Sequence, residues 1–315
     1  MWRQLRKTPA NDSRTGLSVD GSRIAFARVQ QSEDGGLQVA ASAVDTQADD
    51  GSWAQRLATK VDGFDAGRSQ LTSVLPDGSY QLLLVDLPKL PADEIKSAIR
   101  WQIKDLLDFP IDETTIQIFD MPSPSSTDQK SMAYVVATQR SSVQEHIDLL
   151  QGAGLTLDVI NIPELCTRNI ATLLPQDADG VAFLHIEEDH GILTITRQGV
   201  LYLIRRIEKG RSLIRSAASD DFSRAELAST FVLEIQRSLD YYESHFDRRP
   251  LRELVVSPGS DIGGLADSLN EQLGLNVSRL DLGQMFDMRS AVSAEEQGDC
   301  LLAIGAALRS ESLAA

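Results

Sequence analysis

The chain has little cysteine, few aromatic residues, no long apolar run and a shortage of positive charge. Only Cys166 and Cys300 occur in 315 residues. They lie far apart among apolar neighbours, so there is no disulfide framework and no zinc spacing. Both read as core thiols of a reducing compartment. Aromatic residues make up 5% of the chain. No apolar stretch approaches the ~20 residues that a membrane-spanning helix requires. Lys and Arg number 30 against 46 Asp and Glu, a formal net charge of −16. Phosphate-backbone binding needs clustered cations, so this balance argues against nucleic acid as a main partner. The opening "MWRQLRK" is basic with no apolar stretch behind it and does not read as a secretory signal. Trp2 and Leu5 beside Arg3, Arg6 and Lys7 suit a frayed terminus better than contact with an anionic membrane surface.

What is present is ordinary for a globular α/β protein: 42% apolar residues, 24% charged, and length for two domains or more. "LSVDGSRIAFARVQ" and "GLQVAASAVD" are apolar-rich segments joined by the turn signal "QSEDGG". A short helix is expected at "WAQRLATKV", then a strand at "SQLTSV" and a buried strand at "SYQLLLVDLP". "LPADEIKSAIRWQIKDLLDF" opens with Pro91 and two acids, a favourable helix start. At 100° per residue Ile95, Ile99, Ile103, Leu106 and Leu107 share one face. Trp101 falls nearly opposite, among Glu94, Ser97, Lys104, Asp105 and Asp108. Such a Trp calls for cover, by a neighbouring subdomain or by a partner.

From residue 180 the pattern restarts with three strands in "GVAFLHIEEDHGILTITRQGVLYLIRRI", a repeat of architecture rather than of sequence. A long helix follows, with Val232, Ile235, Leu239, Tyr242 and Phe246 at helical spacing. Strand, Gly-rich turn, helix and strand come next, and "DCLLAIGAALRS" closes the chain as a small-residue helix.

This order of elements resembles the actin-like ATPase superfamily. Within it, "LLLVDLPKLPADEIKSAIRWQIKDLLDFPIDETTIQIFD", "VVATQRSSVQEHIDLLQGAGLTLDVINIPELCTRNI", "LEIQRSLDYYES" and the glycine turn at 257–264 resemble the type IV pilus assembly family PilM. The branch most similar serves the mannose-sensitive haemagglutinin (MSHA) pilus. The resemblance covers about residues 15–310 and implies an actin-like (ribonuclease H-like) two-domain fold with an FtsA/PilM-type inserted subdomain. Residues 1–14 would be an N-terminal tail. Residues 15–75 and 155–179 would form the first actin-like domain, closed by a helix at 298–310. Residues 76–154 would be the inserted subdomain and 180–295 the second actin-like domain. The resemblance also implies a place at the cytoplasmic face of the bacterial inner membrane. There the family binds the short cytoplasmic tail of a PilN-like bitopic protein, in a groove between the first domain and the inserted subdomain. Trp101 is the partner-binding candidate.

The resemblance implies ATP and magnesium as well, and here the residues depart from the pattern. In the superfamily the first hairpin carries Asp-x-Gly followed by small hydroxyl residues. Glycine lets the backbone approach phosphate, amides donate to it, and the Asp organises magnesium through water. In one register Ser18 takes the Asp position, Asp20 the glycine, and Gly21 and Ser22 the hydroxyl positions. A slip of two residues restores Asp20 as the Asp but places Ser22 at the required glycine and disturbs the strand alternation. The second loop places His185-Ile186-Glu187, followed by Glu188, Asp189 and His190, where Asp-Ile-Gly is usual. Like charges beside a triphosphate are unfavourable without a cation. A metal at His185, Glu187 and Asp189 is the alternative to a plain charged hairpin end. The adenosine turn is Ser257-Pro258-Gly259-Ser260, with Gly263 and Gly264 after it, and Pro258 removes one donor. Glu234 and Arg237 suit a solvated face better than a base or ribose contact.

The expectation is a scaffold with degenerate nucleotide loops (Ser18, Asp20, Gly21, Ser22, Gly259 and Gly263), no catalytic residue, no resident metal and doubtful ATP binding. A working ATPase or ATP-controlled switch is the alternative. A sugar kinase on the same fold has no catalytic Asp that can be placed, and no Walker loop or Gly-x-Ser-x-Gly nucleophile turn is present.

Overall fold

A computed structural model describes residues 13–20, 23–32, 34–46, 53–64, 69–124, 130–246, 250–260, 264–288 and 292–309. The basic start of the chain lies outside them. The first hairpin joins β1 (Arg14–Asp20) to β2 (Arg23–Gln31), with Asp20 opposite Arg23. β3 (Leu37–Asp45) adds antiparallel to β2. Helix α1 (Trp53–Phe64) crosses to β4 (Gln70–Val74), which pairs in parallel with β1.

The chain then leaves this sheet and builds a second, three-stranded one. Its strands are β5 (Tyr80–Asp86), β6 (Thr114–Asp120) and β7 (Met132–Gln139), in the antiparallel order β5-β7-β6. Helix α2 (Ala92–Ile103) starts after Pro91 with Asp93 and Glu94 in its first turn, where acids suit the helix dipole. It buries Ile99 and Ile103 against Val85, Ile116, Val135 and Ala137. The helix tightens into a 3₁₀ turn at Lys104–Leu106. That change of pitch rotates Leu106 off the buried face, so it is exposed where 100° periodicity had grouped it with Ile99 and Ile103. Trp101 does stand opposite the buried face, and no neighbouring subdomain covers it: it is 75% exposed.

Helix α3 (Arg140–Gly152) leads back through β8 (Val159–Asn161), parallel to β4, to α4 (Pro163–Ala171). A second hairpin follows, β9 (Val181–Ile186), β10 (Gly191–Arg197) and β11 (Val200–Ile207). After α5 (Arg211–Ala217) and α6 (Asp221–His245) come β12 (Glu253–Val256), α7 (Leu265–Leu273) and β13 (Asn276–Arg279). This sheet is ordered β11-β10-β9-β12-β13, its first three strands antiparallel and its last pairings parallel. The first sheet repeats that plan as β3-β2-β1-β4-β8. The duplication expected from the restart at residue 180 is therefore one of topology. On α6, Val232, Ile235, Leu239 and Tyr242 are buried as their spacing requires.

The chain finishes in the first half. Helix α8 (Leu282–Met285) and β14 (Asp287–Met288) precede α9 (Ala294–Ala307), and β14 pairs with β3. Residues 282–288, read from sequence as part of the second actin-like domain, thus pack with the first: Leu282 and Phe286 share a core cluster with Val39 and Leu301. Likewise α3, read as part of the inserted subdomain, places Leu150 among Leu17, Phe26, Leu57 and Leu71 of the first half. Sheet pairing and apolar contact decide membership here, and neither follows chain position.

Helix α9 starts with a full capping box between Ser293 and Glu296. Its small residues let backbones meet. A Cβ on Gly16 of β1 would lie 1.8 Å from the Ala303 carbonyl oxygen, and one on Gly305 would lie 2.4 Å from that of Cys166 in α4. Both thiols sit in this packing, buried, and burial pushes Cys300 up to about 12. Overpacking of this kind costs about 2–3 kcal/mol. Gly16→Ala should lower the urea-unfolding free energy by that much, whereas Gly152→Ala, with open space around it, should change it little.

Candidate functional site

Three elements meet between the two repeated sheets: Asp20 at the end of β1, the β9–β10 turn and the turn after β12. The second and third are bonded together through buried polar groups. His185 Nδ1 lies 2.8 Å from Ser257 Oγ, Ser257 Oγ lies 2.7 Å from Ser260 Oγ, and the Ile186 amide donates to Ser260 Oγ at 3.0 Å. His185 Nε2 bonds Glu187 Oε1. The Glu187 amide donates to the His190 carbonyl at 2.8 Å, and the Ser257 amide to that of Leu184 at 2.9 Å. From α5, the Arg211 amide donates to the Glu187 carbonyl and the Ser212 amide to that of Glu188, at 2.8 and 3.0 Å. Gly210 permits this approach, because a Cβ there would sit 2.2 Å from the Glu188 carbonyl oxygen. These amides and hydroxyls of the second and third turns are thus engaged within the protein.

Charged side chains complete the closure. Arg23 of β2 and Arg211 of α5 both reach Asp299 Oδ1 of α9, at 2.8 and 3.1 Å. Arg211 belongs to the second half and Asp299 to the first, so this carboxylate ties the halves across the cleft. Arg215 pairs with Glu188. Burial disfavours ionisation of Glu187, but His185, Arg211 and Arg23 outweigh it and hold the carboxyl well below the usual carboxylate range. Asp20 has the opposite setting. Burial, then Glu187, raise its pKa, Arg23 lowers it, and Asp77 and Asp189 raise it further.

Of the residues expected at the nucleotide loops, Asp20 stands at the hairpin end, but among carboxylates. Ser18 is buried inside β1 opposite Ala25, away from the turn. Gly259 has a left-handed φ of +70° and rests against α9, 3.3 Å from where a Cβ would meet the Ala294 carbonyl oxygen. Gly21, Ser22 and Gly263 lie outside the described residues. The described residues do not fit a magnesium triphosphate: the second turn offers carboxylates instead of donors, and Pro258 has no N–H. The metal idea at His185, Glu187 and Asp189 fares no better, since both imidazole nitrogens are bonded within the protein. Among the described residues no group of three such side chains could hold an ion. Glu234 and Arg237 pair with each other at 2.9 Å. Trp101 has the Lys104 ammonium 5.6 Å above its ring, in a recess also lined by Arg100, Ile111 and Asp112. All of these belong to the inserted subdomain.

No family model matches the sequence. No curated protein matches it either. Solved structures do. The chain superposes on a chain of a PilM–PilN type IV pilus biogenesis complex with a TM-score of 0.71, covering 94% of this chain and 97% of that one at 18% identity. The fold is actin-like. The cytoplasmic domain of EpsL, an inner-membrane component of the type II secretion system of Vibrio cholerae, is similar at a TM-score of 0.50, with 12% identity over 93% of this chain and 94% of that one. The ethanolamine utilization protein EutJ from Carboxydothermus hydrogenoformans also gives 0.50, with 11% identity over 94% and 89%.

Arg23, Arg211 and Asp299 were not anticipated from sequence. They are 88 residues or more apart, and no local pattern links them. Their Asp20 neighbour generates a test. A raised carboxyl pKa means that ionised Asp20 opposes folding above its folded-state pKa, and that this penalty disappears below the unfolded value near 3.8. Asp20→Asn should therefore raise the melting temperature at pH 7.5, with a gain that shrinks toward pH 4. A lowered melting temperature at pH 7.5 would contradict this electrostatic reading.

Proposed function

We propose that this chain is a PilM-like scaffold of type IV pilus biogenesis, of the MSHA type, and a pseudo-ATPase. On this reading it sits at the cytoplasmic face of the inner membrane and binds the N-terminal cytoplasmic tail of a PilN-like inner-membrane protein. Likeness to the PilM chain over almost its full length supports the assembly role. The scaffold reading is carried by one observation: the turns after β9 and β12 are bonded to each other through buried polar groups, and the Arg23–Asp299–Arg211 bridge links the two halves beside them. Among the described residues no helix is long and apolar enough to cross a membrane, which agrees with a peripheral position.

Trp101 is the proposed tail contact. An aromatic ring with so much exposed area, flanked by Arg100 and Lys104, has the character of an interface anchor. The second reading, an ATP-controlled switch, draws on Asp20: a carboxylate surrounded by other acids would be relieved by a divalent cation.

Trp101→Ala should weaken binding of a PilN-like cytoplasmic tail about tenfold by fluorescence anisotropy, with the fold unchanged by circular dichroism. Unchanged affinity would remove Trp101 from the interface. Mg-ATP hydrolysis should stay at background; turnover that vanishes in Asp20→Ala would establish the switch instead.

A further inference from the structure

β1 and β4 run in parallel toward the cleft, so Asp20 ends β1 beside it, and Arg14, which starts the strand, marks the opposite end of the first half. The last turns of α4 and α9 come to that end too. Arg14 lines a recess of about 260 Å³ together with Asn169 and Thr172 of α4 and Leu308 after α9. Leu37 and Leu173 give the recess an apolar wall, and Leu173 is 43% exposed.

Three half-buried arginines gather at this end, and none forms an ion pair among the described residues. Arg14 Nη1 donates to the Arg309 carbonyl at 2.7 Å, and Arg309 Nη1 to the Ile160 carbonyl at 3.4 Å. Arg168, one turn before Thr172, makes no hydrogen bond among the described residues, and its buried Nε has no partner. Burial pulls the Arg168 pKa down; the Cys166 thiol opposes this, Arg309 adds to it, and no carboxylate acts on it. A guanidinium carries five N–H donors, so most of those here are free for a ligand. The carboxyl ends of α4 and α9 each offset about half a charge, which leaves an excess of about two positive charges. On a chain with a formal net charge of −16 this is a local reversal of sign.

The sequence leading into β1 has the same character. Residues 1–12 lie outside the described ones, but they hold Arg3, Arg6 and Lys7 with Trp2 and Leu5, and Asp12 is their single acid. Alone, those cations suit a solvated terminus. The fold adds three arginines at the strand into which they lead.

We infer that this end of the first half is a docking surface for an anionic lipid bilayer: Arg14, Arg168 and Arg309 take lipid phosphates while Leu173 rests at the headgroup boundary. Cations beside apolar side chains are the pattern of a peripheral membrane contact. A free phosphate would use the cations but leave Leu37 and Leu173 in water, whereas a bilayer engages both. The surface lies apart from Trp101 and needs no partner protein.

The test is sedimentation of the intact chain with vesicles of phosphatidylglycerol and phosphatidylcholine, and with vesicles of phosphatidylcholine alone. The chain should bind the anionic vesicles at low salt, stay in solution with the neutral ones, and be released as ionic strength rises. An arginine near an anionic surface is worth about fivefold, so Arg14→Gln, Arg168→Gln and Arg309→Gln together should weaken binding about 100-fold. Arg168→Gln alone breaks no hydrogen bond and should cost about fivefold, which tests the surface even if the triple variant does not fold. Lysine at all three positions keeps the charge and should keep the binding, an outcome that a purely structural role of the guanidinium bonds would not give. Equal binding to both vesicles, binding to neither, or binding unchanged by the Gln substitutions would overturn the inference. Displacement by millimolar glycerol phosphate would also overturn it, in favour of a discrete phosphate pocket. Trp101→Ala should leave the sedimentation unchanged, so failure here is separable from failure of the pilus-tail reading.

Discussion

Everything in this molecule is built around the close approach of α9 to β1 and α4. Carbonyls of Ala303 and Cys166 lie where side chains on Gly16 and Gly305 would have to be. Close packing at backbone distance leaves no room for adjustment, so the last helix of the chain fixes the first strand. The same helix delivers Asp299 to the cleft and supports Gly259 of the adenosine-type turn. The second half is attached to the first through a helix whose position is set by two glycines.

That constraint shapes the cleft. An actin-like arrangement of two repeated sheets produces a gap between them, and polar turns must be satisfied there by something. In this protein the satisfaction is internal. His185, Ser257 and Ser260 bond one another, Arg211 and Ser212 cover the carbonyls of the acidic turn, and Asp299 bridges two arginines that come from opposite sides. Buried unpaired charges are far more costly than buried paired ones. Glu187 and Glu188 are therefore tolerated through their positive neighbours. The inserted subdomain supplies the Trp101 surface where partner contact is proposed.

Much of this was legible in the sequence, and the reasons differ by element. The hairpins, the restart at 180 and the long α6 were readable because their apolar periodicity is regular. Trp101 could be placed on the polar face of α2 by angle alone, and it is indeed exposed. Leu106 went wrong because a 3₁₀ turn ends that helix, and pitch changes leave little trace in composition. The contacts of α3 and of residues 282–288 with the first half were not legible because they depend on pairing and packing with distant strands. At the cleft, the loss of glycine and hydroxyls at 187–189 was visible residue by residue. The Arg23–Asp299–Arg211 bridge was not, since it depends on elements far apart in the chain.

The most direct measurement is calorimetric titration of the intact protein with Mg-ATP, alone and with a PilN-like tail present. Expected is no heat of binding in either case, because polar groups of the turns after β9 and β12 already hold each other. Micromolar binding, above all binding that the tail alters, would contradict a closed cleft and make the protein a nucleotide-controlled switch.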